Sequence, residues 1–389
     1  MINSIVILKS KQQWNHFLIN KIKLFFNLEV FFLSENLNLS LKEIKIKLNN
    51  IILKRNIEIA FFEGDYLSFI NYEFINDIKI KKKILCLTDD FDMHEVNHIT
   101  ARSCDGILTS CPISNLRFQE KGLLSFYSPL QADETINKKI KAKKKYDVLF
   151  FGAYKADRKN YIDYLIKNKI KIKIIRSDRV WTINDEDLNR LICESKIVLN
   201  FSNQGFKNKH YAYKSIKQNY YLLKDRIFIS GLCGTLCLSE FAPAQKLLFH
   251  SRELPTFKSK EELLKKILLL LSKKRILKQI TLEFCKKVKQ YENKKHFKKI
   301  SLDIINLTNN QRPKIQLPYW YEKIFNRKRI NLYSKKGNLS IFLIDVFENI
   351  INRIKNISVI NVLLIIETFI LTILFTPRVI LKNETKYNN

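Results

Sequence analysis

Asp89-Asp90-Phe91-Asp92, followed by His94 and His98, is a dense group of ionisable side chains early in the chain. A carboxylate or an imidazole just past a strand can take the proton of an attacking hydroxyl, which makes Asp90 and His94 candidate general bases. Two carboxylates one residue apart, Asp90 and Asp92, can instead hold a divalent cation through oxygen. His94 and His98 stand four apart, a spacing that permits shared metal binding, but neither an HExxH motif nor a third spaced ligand accompanies them. The plainest reading of the run is a helix cap, with Asp92 opening a helix at Met93. No G-x-G-x-x-G and no G-x-x-x-x-G-K-[ST] loop occurs, and a chain with only 8 glycines has little material for one.

Seven cysteines are present: Cys86, Cys104, Cys111, Cys193, Cys233, Cys237 and Cys285. The number is odd and most sit in apolar runs such as Ile84-Leu85-Cys86-Leu87, which fits buried free thiols in a reducing compartment better than a disulfide framework. Cys233 and Cys237 lack the spacing of a zinc knuckle and have no matching pair. Ile5-Val6-Ile7-Leu8 is too short for the core of a signal peptide, so a cytoplasmic protein is expected.

Elements that could position these residues follow from the apolar rhythm. With 389 residues, 46% of them apolar and 12% aromatic, the chain has enough to build packed cores, and wholesale disorder is excluded. Strands are expected at Ser4–Leu8, Leu28–Leu33, Ile57–Phe62, Lys83–Thr88 and Gly106–Ser110. Helices are expected between them at Gln12–Phe26, Ser40–Lys54 with Ser40 as cap, Tyr66–Ile78 and Met93–Ser103, and Pro112 opens another. This βαβ alternation implies a parallel sheet covered on both faces. Residues 137–145, with six lysines and no period, read as a linker.

The rhythm then restarts. Tyr146–Gly152 (YDVLFFG) is a continuous apolar run, as expected of a strand buried on both faces. Asp157–Asn168, Ile170–Arg176, Asp185–Glu194, Lys196–Phe201, Ile227–Cys233, Thr235–Ser239 and Leu254–Phe257 continue it. Helices Lys260–Leu271 and Lys274–Tyr291 close the series. The expected organisation is therefore two doubly wound α/β domains, 1–136 and 146–307, facing across a cleft at their strand C-termini, with a basic, hydrophobic extension over 308–389.

The formal charge is +32, from 69 Lys and Arg against 37 Asp and Glu. Such a charge attracts nucleic acid, acidic membranes or phosphorylated substrates. The lysines are spread along the whole chain, however, in stretches such as Lys45-Ile-Lys-Leu-Asn-Asn-Ile-Ile52 that also reflect compositional bias. No RNP motif, zinc-finger spacing or basic zipper is visible. In the extension, Val359–Phe375 is almost long enough to span a bilayer, and Arg353, Lys355 and Arg378 flank it. Glu367 near its middle costs a spanning helix about 2.5–3.5 kcal/mol. Residues 353–382 are thus expected to contact an anionic membrane surface peripherally, on the cytoplasmic side, with packing on the protein or on a second subunit as the alternative.

The order of motifs in the second half is specific. A strand ends in Gly152, and Arg158 follows it. Strand KIVLNF carries Asn200. Next comes Arg226-Ile-Phe-Ile-Ser-Gly231-Leu-Cys-Gly234, then strand TLCLSE ending at Glu240, then Leu254-Pro-Thr-Phe257 and Ser259-Lys-Glu-Glu-Leu263. This order resembles the C-terminal domain of GT-B glycosyltransferases, in the group-1-like branch that includes spore-maturation-type proteins. Leu87-Thr-Asp-Asp90, Cys104-Asp-Gly-Ile-Leu-Thr109 and Ser128-Pro-Leu-Gln-Ala-Asp133 look like the first domain of that branch, so the resemblance covers about residues 80–290.

The resemblance implies a nucleotide-sugar donor and a glycan or lipid-linked acceptor in cell-surface polysaccharide synthesis. It implies no nucleic-acid partner and no cofactor, since GT-B enzymes usually need no metal. The Asp90-x-Asp92 metal signature belongs to the other glycosyltransferase architecture, GT-A. The resemblance also implies a donor site at Gly152, Arg158, Asn200, Arg226, Gly231, Gly234 and Glu240, because a leaving nucleoside diphosphate needs fixed positive charge and close backbone. The pattern departs from the family at Ile229, where the family has a Glu expected to hold the donor ribose. Glu240 or Asn200 would have to replace it, or the chain is a catalytically reduced member that binds carbohydrate or nucleotide without turnover. A basic nucleic-acid-binding protein is a third reading.

Overall fold

The structure is a computed structural model and describes residues 1–11, 15–64, 70–88, 90, 93–154, 157–176, 183–202, 222–308, 315–334, 339–355 and 358–387. Gln12, Tyr66, Asp89, Asp92 and the Gln311-Arg-Pro break lie outside them, so the capping role expected of Asp92 does too. In chain order the first half contains β1 (Ile2–Leu8), α1 (Asn15–Lys23), β2 (Phe26–Phe32), α2 (Leu41–Lys54), β3 (Ile59–Glu63), α3 (Tyr72–Asp77), β4 (Lys82–Leu87), α4 (His94–Ala101), β5 (Gly106–Thr109), α5 (Pro112–Glu120) and β6 (Ser125–Tyr127). The second half contains β7 (Tyr146–Gly152), α6 (Asp157–Lys167), β8 (Ile172–Arg176), α7 (Asp185–Cys193), β9 (Ser195–Asn200), α8 (Arg226–Leu232), β10 (Leu236–Glu240), α9 (Gln245–Leu248), β11 (Thr256–Phe257), α10 (Lys260–Ser272) and α11 (Lys274–Tyr291). Four further helices follow: α12 (Lys294–Ile305), α13 (Tyr319–Ser334), α14 (Leu339–Ile354) and α15 (Val359–Tyr387).

Two parallel sheets result, β2-β1-β3-β4-β5-β6 and β11-β10-β9-β7-β8. The expected fold class, two doubly wound α/β domains and a helical extension, is what the chain adopts. Local chemistry explains many of the ends. Ser40 caps α2 reciprocally: its hydroxyl accepts from the Glu43 N–H, and the Glu43 carboxylate accepts from the Ser40 N–H at 2.7 Å. Pro112 stands in the first turn of α5, where a missing N–H costs nothing. Phe26, expected as the last residue of a helix, instead opens β2, because it pairs in register with Ile2 of β1. Strand β6 and helix α12 are additions to the expected elements.

The first sheet separates its side chains by alternation. Ile5, Ile7, Ala60, Phe62, Leu85 and Leu87 lie in one core cluster, and Val6, Leu8, Phe61, Ile84 and Cys86 in another. Helices from far along the chain complete both faces. Phe297, Ile300 and Ile304 of α12 join the second cluster beside Leu18 and Ile22 of α1. Ile330 and Tyr333 of α13, with Phe342 and Val346 of α14, join the first beside Ile44 and Leu48 of α2. Residues 137–145 carry no helix or strand. They run along the second domain, where the Lys144 ammonium donates to the Ser195 carbonyl at 2.6 Å. All seven cysteines are free thiols.

Candidate functional site

Each sheet reverses its strand order once, between β1 and β3 and between β7 and β9, and ligands of open α/β sheets sit outside the strand C-termini at such points. At the second reversal the C-termini of β7 and β9 are Gly152 and Asn200. Arg226, the first residue of α8, extends to both. Its Nη1 donates to the Asn200 side-chain oxygen at 2.9 Å. Its guanidinium lies 4.9 Å from the Phe151 ring centre and 5.5 Å from that of Phe150, a cation–π shelf that holds the fork in place.

Gly152 has φ +140°, a conformation that favours glycine, and a Cβ there would come within 2.5 Å of Arg226 Nη2. Glycine is therefore required for the arginine to cross the strand end. Burial and the like charge of Arg158, in the first turn of α6, push the Arg226 pKa down to about 9. Among the described residues no carboxylate pairs with Arg226, whose Nε also lacks a hydrogen-bond partner. Two guanidinium charges thus act on each other at this strand end, an arrangement an anion relieves.

The surrounding network is polar and internally satisfied. The Asn200 Nδ2 donates to Ser239 Oγ at 2.8 Å. Gln245 Nε2 donates to Ser239 Oγ at 2.7 Å and to the Glu240 carbonyl at 2.9 Å. Asn200 is fully buried with both ends of its amide engaged, so it positions Arg226 and is not placed to meet a ligand itself. Glu240, 8% exposed, ends β10 at the same edge of the sheet. Ile229 is 3% exposed within the second-domain core, so no hydrogen-bond acceptor stands where the family pattern has its Glu.

Gly231 and Gly234 are not part of this group, which corrects the expectation drawn from the resemblance. Both lie at the far end of α8, just before β10 begins at Leu236, hence at the opposite edge of the sheet from Gly152 and Asn200. A Cβ on Gly231 would meet Val288 Cγ2 at 2.5 Å, so that glycine lets α8 pack closely on α11. Gly234 has φ +76° and follows Cys233, the C-cap of α8, beside the Lys139 side chain.

On the first domain, Asp90 is fully buried just past β4. One carboxylate oxygen lies 2.9 Å from His94 Nδ1 and the other accepts from Asn97 Nδ2 at 2.8 Å. With both oxygens engaged, Asp90 is not placed to take a proton from an acceptor, a second correction. A carboxylate facing Nδ1 places the imidazole hydrogen there and leaves Nε2 as the acceptor. His94 Nε2 is buried without a hydrogen-bond partner among the described residues, and the ring lies 4.5 Å from that of Phe118.

The His94 and His98 rings are stacked 6.3 Å apart. Burial, with nearby Lys121 and Arg102, pushes the His98 pKa down to about 4. Among the described residues no group of three or more His, Cys, Asp or Glu could hold a metal.

The two edges approach one another. Cys111, at the start of α5, packs with Leu222 from the segment leading into α8. The Gln131 N–H donates to Asp225 beside Arg226 at 3.1 Å. Asn97, Phe150 and Phe151 are site residues that spacing missed. The doubled aromatic directly before Gly152 was the available signal for the cation shelf.

Residues 134–299 match the model of a glycosyl transferase-like family. No curated protein matches the chain. Among solved structures, Anabaena HepE in complex with UDP and glucose is similar at a TM-score of 0.55 and 12% identity, over 78% of this chain and 99% of that one. Sucrose-phosphate synthase from Thermosynechococcus elongatus is similar at 0.55 and 7%, over 78% and 98%. An α-glucosyltransferase in complex with UDP-glucose and DNA containing an abasic site is similar at 0.53 and 11%, over 78% and 99%. The chain has the GT-B fold, and residues 134–299 match a glycosyl transferase-like family model.

Proposed function

We propose, from a GT-B fold that carries a glycosyl transferase-like domain, that this chain moves a sugar from a nucleotide-sugar donor to an acceptor hydroxyl of a cell-surface polysaccharide or lipid-linked precursor. The observation that carries the reading is Arg226, a cation without a paired carboxylate among the described residues, held at the end of β7 by Phe151 and Asn200. Negative charge grows on the leaving nucleoside diphosphate as the glycosidic bond breaks. Arg226, with Arg158 behind it, stabilises that charge from a fixed position. Gly152 keeps the approach open.

The acceptor enters from the first-domain side, and His94 Nε2 takes its proton while Asp90 and Asn97 hold the ring. That nitrogen is enclosed beside Phe118, so acceptor entry has to open the contact between α4 and α5. Two arginines serve where a divalent cation serves in metal-dependent transferases, so turnover persisting in a chelator is expected. Nucleic acid is not the acceptor in this reading, because the lysines form no single patch.

The test is thermal unfolding with UDP, GDP, CDP and their sugars, followed by release of nucleoside diphosphate. A ligand at 100 times its Kd adds about 2.7 kcal/mol. No shift with any nucleotide sinks the proposal. A second reading, nucleotide binding without turnover, draws on Ile229, and a clear shift with no release of nucleoside diphosphate would select it.

A further inference from the structure

A buried polar network joins the three helices α13, α14 and α15, beside the fully buried Leu364. Asn326 donates to Thr368 at 3.0 Å, and Asn349 donates to Asn326 at 2.7 Å. Arg353 donates to Glu322 at 2.6 Å and to Asn361 at 3.0 Å. Glu367, the residue that made the apolar run costly to bury, points inward onto Arg327. The outer face is apolar: on α15 every third or fourth position from 359 to 374 is an exposed Val, Leu, Ile or Phe, with Phe369 55% and Ile373 72% exposed. On α14, Phe347 is 63% exposed, in a stripe that continues through Ile351 and Ile354. Helices that end in water show the reverse arrangement.

We propose that this α14–α15 face seats the protein on an anionic lipid bilayer, lying in the plane of one leaflet. Length and composition alone would let Val359–Pro377 cross a membrane. The contacts choose the in-plane arrangement. One side of α15 is committed to α13 and α14 through Thr368, Asn361 and Glu367, and α13 and α14 are fixed to the first-domain core by Ile330, Tyr333, Phe342 and Val346. Only one stripe is left for lipid, as in an interfacial helix.

Charge complementarity chooses the bilayer over a second copy. Residues 318–389 hold eleven Lys and Arg against five Asp and Glu, and Lys355 is exposed just past the apolar stripe of α14. Pairing two such faces would bring like charge together, whereas anionic headgroups satisfy it.

The test is flotation of the full chain with vesicles of phosphatidylcholine, with and without phosphatidylglycerol. The protein should float with the anionic vesicles and be released by alkaline carbonate. The double variant Phe369→Glu/Ile373→Glu, at exposed positions, should lose at least about tenfold in partitioning, the scale of two apolar side chains withheld from the face. Its melting temperature should be unchanged. Three results overturn the proposal: no flotation of the wild type, equal flotation of the variant, or resistance to carbonate, which means a crossing helix. So does a lipid-free dimer that the double variant dissociates, since a second copy then covers the face. Melting and flotation are read without any nucleotide, so they stand or fall separately from the transferase reading.

Discussion

The two sheets share one strand order, second-first-third-fourth-fifth from the edge, yet the charges beyond their strand C-termini are of opposite sign and in opposite states. Beyond the first sheet the buried charge is a carboxylate, Asp90, and the fold has already engaged it with His94 and Asn97. Beyond the second it is a guanidinium, Arg226, and the described residues supply an amide oxygen and two aromatic faces but no carboxylate. A charge met by partners within the chain is structural and acts through its neighbour. A charge held in place without a counter-charge costs folding energy and is kept for something that binds. Under the proposed function, this contrast makes the second domain the binding half and lets the first act through the one ring nitrogen that Asp90 orients.

Four measurements break or sharpen that contrast. The largest effect is expected from His94→Ala, which should lower kcat by about 10²–10⁴-fold, the usual contribution of a positioned base, with donor affinity unchanged. Unchanged turnover would remove the first domain from the chemistry. Next, Arg226→Ala should weaken nucleoside-diphosphate binding by about 10–100-fold, the scale of one charged hydrogen bond lost. Titration calorimetry reads it, and equal affinity would mean the cation serves the fold alone.

Gly231→Ala should do the reverse of Arg226→Ala. The new methyl meets Val288, so stability should fall by about 1–3 kcal/mol while nucleotide affinity holds. Val288→Ala should restore stability. Loss of affinity at constant stability would return Gly231 to the donor site.

The smallest effect concerns the domain junction. There the Lys21 ammonium lies 2.5 Å from the buried Glu292 carboxylate. Burial pushes the Glu292 pKa up from 4.5 to about 8, against the pull of Lys21. The folded state therefore keeps its proton across that window while the unfolded chain loses it. Stability should decline as pH rises from 4.5 to about 8, and Glu292→Gln should flatten the decline in melting temperature. An identical slope in the variant would show that the pair stays charged throughout.

The elements legible from sequence were those whose signal is local. Tyr146–Gly152 and Lys82–Leu87 are runs too apolar to be anything but buried strands, and Ser40 with Glu43 writes a helix start into four residues. Strand β6 has three residues, too few to show alternation. Helix α12 follows α11 with the same lysine-rich amphipathic pattern, and only the Asn293 cap, accepting from the His296 N–H at 2.7 Å, separates them.

The site divides the same way. Gly152 and Arg226 could be placed because a strand end and a helix start fix them. Gly231 could not, because a glycine facing a phosphate and a glycine facing a helix look alike until Val288 arrives. Glu367 shows the same limit, since its cost depends on whether Arg327 is behind it. Cutting the chain before α15 would take Thr368 from Asn326 and Glu367 from Arg327, so point changes on the outer stripe test the tail more cleanly.

Helix α12 lies late in the chain, but its apolar side chains complete the first sheet. A ribosome that has released residues 1–136 has delivered six strands and five helices, yet Phe297, Ile300 and Ile304 on one face, and Ile330, Tyr333, Phe342 and Val346 on the other, are still untranslated. The second domain, whose buried core runs from Ala132 to Val288 with Ile113, Tyr127 and Tyr291 packed at its margin, can close first. The half made earliest is thus finished last, and a nascent chain must hold bare aliphatic surface out of reach of its neighbours while the later helices emerge.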